Sequence, residues 1–236
     1  MHHNNRRQVT LQGITRDDIQ RILEEATSNA SKNRIIFLDT SYLYTFHPDD
    51  FEIVSKFNIL GRYDLRAVIE WHSCLERWLS DQTVTLANKT IKPIAIARSF
   101  DRIVNEGLEA IAAVITTGSA EETETFSFRS IGDGTVAAVL PSDKVLAHEV
   151  DRINVFTAKE GGSLSRDGST IYSIGNHSKS IPTPANGVFT EIGMHSTDSP
   201  ATDKMLEHSK FITPVPHVQD ADGPGTTTVI YMASDE

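Results

Sequence analysis

The sequence predicts an α+β protein: a mainly helical N-terminal region, residues 1–98, followed by an antiparallel β-sandwich-like module with short helical inserts, residues 99–236. Three observations carry this. Before residue 98, apolar residues recur at three-and-four spacing, above all Leu65, Val68, Trp71, Leu75, Trp78 and Leu79. From Thr125 onward, short apolar pieces alternate with glycine turns at Gly132-Asp133-Gly134, Gly161-Gly162 and Asp167-Gly168. The composition, 39% hydrophobic and 23% charged over 236 residues, suits a globular chain able to bury a core.

Residues up to Gly13 are polar. Thr15 then stands as a helix N-cap, with Asp17 and Asp18 in the first turn and an apolar stripe at Ile19, Ile22, Leu23 and Ala26. The run Ile35 to Leu38 reads as a buried strand or extended packing segment. In the next stretch Tyr42, Tyr44 and Phe46 alternate with Leu43 and Thr45, the pattern of a half-buried strand or of an interface patch. His47-Pro48-Asp49-Asp50 opens a short helix whose apolar face is Phe51, Ile53, Val54 and Phe57. After Gly61, the clearest helix runs from Tyr63 to Leu79. Trp71 and Trp78 lie on its stripe; the core reading is preferred, with partner anchoring as the alternative, and Cys74 reads as a small buried apolar residue. Thr83 to Leu86 is strand-like, Asn88-Lys89 a turn, and Ile91 to Ala97 an extended run broken by Pro93.

Ser99 reads as the cap of a further helix, with Asp101 in its first turn, a stripe from Ile103 to Ile115 and Gly118 as its stop. Phe126, Phe128 and Ile131 begin the β module. Ser142 or Asp143 could cap a short helix through Val150, and Ile153 to Thr157 reads as a strand. Asp167-Gly168 marks a hairpin, because a two-residue turn that matches strand twist wants positive φ. Ile171 to Ile174, Val188 to Met194 and Met205 to Phe211 complete the strands. The uncharged Thr226 to Met232 segment suits an edge strand, which makes Val229, Ile230 and Tyr231 candidate interface residues.

A net charge of −10 argues against sequence-independent nucleic-acid binding, which needs basic residues to neutralise phosphates. The single cysteine excludes an intrachain disulfide. No apolar run approaches the roughly 20 residues of a membrane-spanning helix, and no apolar leader opens the chain, so a soluble protein made in a reducing compartment is expected. Of nine histidines, His148, His177, His195, His208 and His217 are scattered without the close spacing of a metal site. His148 beside Glu149 and Asp151 reads as part of a solvated helix face. Asp220-Ala221-Asp222-Gly223 begins like a calcium loop but lacks the later ligands. There is no phosphate-binding glycine loop, nucleophile elbow or dinucleotide fingerprint, and Ser163, Ser165 and Arg166 read as loop residues. No catalytic residue, cofactor or metal is therefore expected, and no enzyme.

The order of pieces over about residues 99–213 resembles small tail, collar, fibre-attachment or baseplate-type structural proteins of tailed bacteriophages and related viruses. The residues that carry the resemblance are Asn105-Glu106-Gly107-Leu108-Glu109-Ala110-Ile111, Ile131-Gly132-Asp133-Gly134-Thr135, Glu149-Val150-Asp151-Arg152, Tyr172-Ser173-Ile174-Gly175, Phe189 to Met194, and Met205 to Ser209. It implies a non-enzymatic virion component, made in the host cytoplasm, that docks other virion proteins and assembles as a homo-oligomer without nucleic acid or membrane. On this reading Glu149 and Arg152 pair across a helix turn, and Glu191 points outward from a strand toward Arg152 or a neighbouring subunit. The alternatives are a receptor- or glycan-binding module stacking on Tyr42, Tyr44 or Trp71, and a cell-envelope hydrolase with convergent histidines and acids.

Overall fold

The apolar run after residue 34 does not stop at the aromatic stretch but continues through it as one 12-residue strand, β1 (Ile35–Phe46). Its alternation sends Tyr42, Tyr44 and Phe46 to one side and Ser41, Leu43 and Thr45 to the other, and all six are buried. A strand covered on both faces belongs to a middle layer. The computed structural model describes residues 35–100, 102–110, 126–135, 138–198 and 203–234. The chain divides into one compact unit of residues 37–231 and a second of residues 1–36 and 232–236. The helix expected from Thr15 to Ala26 and the stripe positions Ile111 to Ile115 lie outside the described residues.

Two helices follow β1. Helix α1 (Pro48–Leu60) starts on its proline with Asp49 and Asp50 in the first turn, where the helix dipole favours negative charge. Helix α2 (Leu65–Leu79) is capped by Asp64, whose carboxylate accepts from Arg66 N at 2.9 Å. Of the expected stripe it buries Val68, Trp71, Leu75 and Trp78, with Leu65 and Leu79 partly buried at its ends and Cys74 buried beside it. A hairpin of β2 (Val84–Leu86) and β3 (Lys89–Ile91) turns on Ala87 and Asn88, both at positive φ, one residue earlier than the sequence suggested. The remaining strands are β4 (Ala95–Phe100), β5 (Arg102–Ile103), β6 (Phe128–Gly132), β7 (Glu149–Asn154), β8 (Gly162–Asp167), β9 (Thr170–Asn176), β10 (Val188–His195), β11 (Met205–Pro216) and β12 (Gly223–Ser234).

The long strands form two five-stranded sheets. Sheet 1 has the order β4-β1-β12-β9-β8, and sheet 2 the order β5-β11-β10-β6-β7. Leu43 and Ala97 of sheet 1 meet Ile131, Phe189, Ile192, Phe211 and Val215 of sheet 2, so the two form a β-sandwich. The other face of sheet 1 packs on α1, α2 and the β2–β3 hairpin through Tyr42, Tyr44, Phe46, Trp71 and Trp78. The far face of sheet 2 carries a small satellite cluster of Val104, Leu146 and Met205. Among the described residues the protein is thus β-rich, and the mainly helical N-terminal region expected from the sequence is not seen. Residues 37–98 supply most of β1, the start of β4 and two helices to the same unit as the later strands, and residue 98 lies inside β4.

Four further expectations are corrected. Ser99 does not cap a helix; it pairs with Ser41 in the β1–β4 ladder and donates to Lys210 O at 2.7 Å, while a helical turn at 105–110 begins later. Residues 141–148 are turns, because Asp143 spends its carboxylate on Leu140 N and His208. Ser163, Ser165 and Arg166 belong to β8, which closes on β9 through Gly168 at positive φ. Strand β12 is central, flanked by β1 and β9, so Val229, Ile230 and Tyr231 do not lie on a sheet edge.

Candidate functional site

On sheet 2, residues of the same parity line one face, except where irregularities in register beside Gly132 and His195 shift the count on β7 and β11. Facing away from sheet 1, one register row runs Arg152–Ser130–Gly193–His208 across four strands. The row on one side of it holds Glu149, Gly132 and Glu191, and the row on the other side Phe128, His195 and Met205. Such a polar face ordinarily meets water. Here residues 133–135, the run 138–148 and Asp203 reach over it, and Ser130, Glu191, His195 and His208 are all buried. Burial of polar groups requires hydrogen bonds, and each has them.

Glu191 is the hub. Its Oε1 accepts from Gly134 N at 3.0 Å and His148 N at 2.9 Å, and its Oε2 from Ala147 N at 3.1 Å and His208 Nε2 at 3.0 Å. Burial pushes its carboxyl up, but the bonds from His208 and from the backbone of His148 and Ala147 outweigh that and hold it below the usual range. A Cβ at Gly134 would collide with this carboxylate, so the close approach requires glycine. His208 turns its other nitrogen, Nδ1, to Asp143 Oδ2 at 2.9 Å. Both nitrogens thus donate to carboxylates. Burial lowers the basicity of this ring, yet its bonds to Glu191 and Asp143 raise it above the ordinary imidazole value.

A second group lies beside it. His195 donates Nδ1–H to Asp203 Oδ2 at 2.5 Å, and the Ser130 hydroxyl reaches His195 Nε2 at 2.7 Å. Arg152 Nη1 donates to the same Asp203 oxygen at 2.6 Å, while its Nε and Nη2 fork onto Glu149. Asp203 is pushed up by burial, but His195 and Arg152 hold it below the usual carboxylate range. The serine–histidine–aspartate order has the contacts of a nucleophile and its base. It lacks access: Ser130 and His195 are fully buried, and a Cβ on Gly193 would meet His195 Nε2, Ser130 Oγ and Leu146. Ser130 also sits in mid-strand with ladder partners on both sides.

The same pairing recurs elsewhere. His177 Nδ1 meets Asp151 Oδ2 at 2.7 Å. His217 Nδ1 meets Asp222 Oδ1 at 2.5 Å, its ring stacked on Phe189 with centroids 5.2 Å apart. Of the carboxylate-paired histidines among the described residues, His148 is the open one. Its side chain is 67% exposed and bonded to the buried Asp133, whose other oxygen accepts from Ala185 N at 2.8 Å. These residues, with Gly134, Thr135, Ala147 and Asn186, line an open surface depression of about 310 Å³. Among the described residues, no group of three or more His, Cys, Asp or Glu side chains is disposed to hold a metal ion.

The structure separates the candidate residues named from the sequence. Tyr42, Tyr44, Trp71 and Trp78 are core, not interface, so Tyr42, Tyr44 and Trp71 give a glycan no stacking surface. Trp71 Nε1 donates to Thr227 Oγ1 at 3.1 Å and Trp78 Nε1 to Ile91 O at 3.0 Å, which satisfies both indoles internally. Ile230 is buried, Val229 packs on the helical core, and Tyr231 is exposed. Arg152 and Glu149 do pair, but on strand β7 rather than across a helix turn. Glu191 does leave its strand on the face away from sheet 1, as expected, but there it is buried and bonded to the backbone of Gly134, Ala147 and His148 and to His208. The sequence marked Asp133 as a turn residue and Asp143 as a helix cap, and it gave Asp203 no role. The period-two order Glu191, Gly193, His195 was the available signal, and it is the pattern of a solvated face. No family model, curated protein or solved structure matches this chain.

Proposed function

We propose that this chain is a non-enzymatic structural component that docks other proteins of a larger assembly. One observation carries the reading. Four histidine–carboxylate pairs, centred on His177, His195, His208 and His217, have imidazoles at most 1% exposed. Three of them tie a connecting segment to a strand or to another connection, at Asp203, Asp143 and Asp222. Such groups fasten loops; a catalytic imidazole needs room for a substrate within hydrogen-bond reach. The resemblance in the order of pieces over residues 99–213 supplies the setting: a tailed-virus particle, at its tail, baseplate or neck, with other virion proteins as partners and several copies around an axis.

Light scattering on the purified chain tests the structural half, with a discrete closed oligomer expected; a monomer at every concentration counts against it. A fluorophosphonate probe tests the other half. The protein should stay unlabelled, and labelling that disappears in Ser130→Ala would overturn the non-enzymatic reading.

A further inference from the structure

Residues 138–148 run across the far face of sheet 2 as a strap. Leu146 packs into the satellite cluster with Val104 and Met205 and touches the space over Gly193. Asn105 N donates to Pro141 O at 2.7 Å, and the exposed Lys144 pairs with Glu106. The buried fastening is at His208. One ring nitrogen holds Asp143 of the strap, and the other holds Glu191, which in turn grips the backbone of Ala147 and His148. A neutral imidazole has one N–H and cannot donate to two carboxylates at once. Losing the proton would leave a lone pair facing a carboxylate at about 3 Å inside the protein, where charge repulsion is weakly screened.

We propose that the strap at residues 138–148 is fastened to sheet 2 by an imidazolium at His208 and loosens when that ring loses its proton, uncovering the face that carries Ser130 and His195. The proposal is independent of the assembly to which the chain belongs. The groups facing His208 are Glu191 from β10 and Asp143 from the strap. Arg102 is its register partner on β5, and Lys210, on its own strand, is the register partner of Glu191. Lys144 is turned to Glu106. The two acids nearest the ring favour its charged form, and the folded form therefore holds this proton more tightly than an unfolded chain does. The contribution is complete below the ordinary value of 6.5 and is lost as pH rises through the raised folded value. Glu191, held low, acts in the opposite sense: its contribution is present above 4.5 and lost as pH falls through its lowered value. The strap is thus tightest between the two.

Trypsin reads this directly, since Lys144 lies in the strap and Lys159, in an exposed turn after β7, serves as a reference site in the same chain. In the full-length protein the ratio of cleavage at Lys144 to cleavage at Lys159 should rise severalfold between pH 6 and pH 9. His208→Gln should be cut at Lys144 at all these pH values, with no step. If His208→Gln does not fold, Asp143→Asn serves: with one carboxylate left to hold the proton, the step should move to lower pH. A flat ratio in the wild type, a step that survives His208→Gln, or one that Asp143→Asn leaves in place would overturn the proposal.

Discussion

Both sheets bury the face that points away from the sandwich, but by different chemistry. Sheet 1 covers its outer face with aromatic surface: Trp71 lies edge-on to Tyr44 at 5.5 Å and to Trp78 at 5.4 Å, and Phe46 meets Trp78 at 5.3 Å. Sheet 2 covers its outer face with acids and imidazoles that satisfy one another. Apolar burial is non-directional and does not titrate. The polar layer depends on geometry and on protonation, and a missing partner there leaves a buried charge exposed to nothing. The aromatic packing over sheet 1 therefore does not titrate, whereas the strap layer holds within a window.

The largest effect expected is on the aromatic side. Trp71→Ala removes a fully buried indole and should cost about 3–5 kcal/mol, through lost transfer free energy and the cavity left behind. Urea unfolding at pH 6 and pH 8 should give the same loss. A loss that differs between the two would break the comparison, because nothing that titrates is removed.

The interior between the sheets offers an intermediate case. Arg129 Nη1 donates to Glu207 Oε2 at 3.1 Å with both side chains fully buried, and Ser41 and Thr228 of sheet 1 reach the same carboxylate. Arg129 Nε and Nη2 are buried without a partner among the described residues. Glu207→Gln should therefore cost about 3 kcal/mol, most of it the burial of an uncompensated guanidinium. The double variant Arg129→Met, Glu207→Leu should recover most of that loss in the same unfolding assay. If it is no more stable than the single variant, the seam is held by packing rather than charge.

How much of this was legible follows the same division. Apolar periodicity announced α2 and the Trp71 stripe, and Asp167-Gly168 announced the β8–β9 hairpin, because these are local patterns with local causes. Ser99 has the residue type of a cap, yet pairing with Ser41 across the β1–β4 ladder overrode that propensity. The polar layer was not legible for a stronger reason. His208 finds Asp143 at a separation of 65 residues, His177 finds Asp151 at 26, and His148 finds Asp133 at 15. No spacing rule links partners brought together by sheet register. The nearer pairs, His195 with Asp203 and His217 with Asp222, lie eight and five residues apart. Burial of the Glu191–Gly193–His195 face became visible only once its roof was seen.

The smallest effect sharpens the comparison most, because it holds the chemistry constant and changes only the burial. His148 and His208 both bond to carboxylates, but the first is open to solvent and the second is sealed. Asp133 raises the basicity of His148 through their hydrogen bond and its charge. Asp133→Asn should bring His148 back down toward its ordinary value of 6.5 in an NMR titration, with the Asn side chain still able to accept from Ala185. Because the His148 ring can ionise in water without unfolding anything, the thermal midpoint should hardly move, and trypsin cleavage at Lys144 should keep its pH step. If Asp133→Asn abolished that step, the titrating group behind the strap would be His148 rather than His208, and exposure rather than burial would set the pH response of this layer.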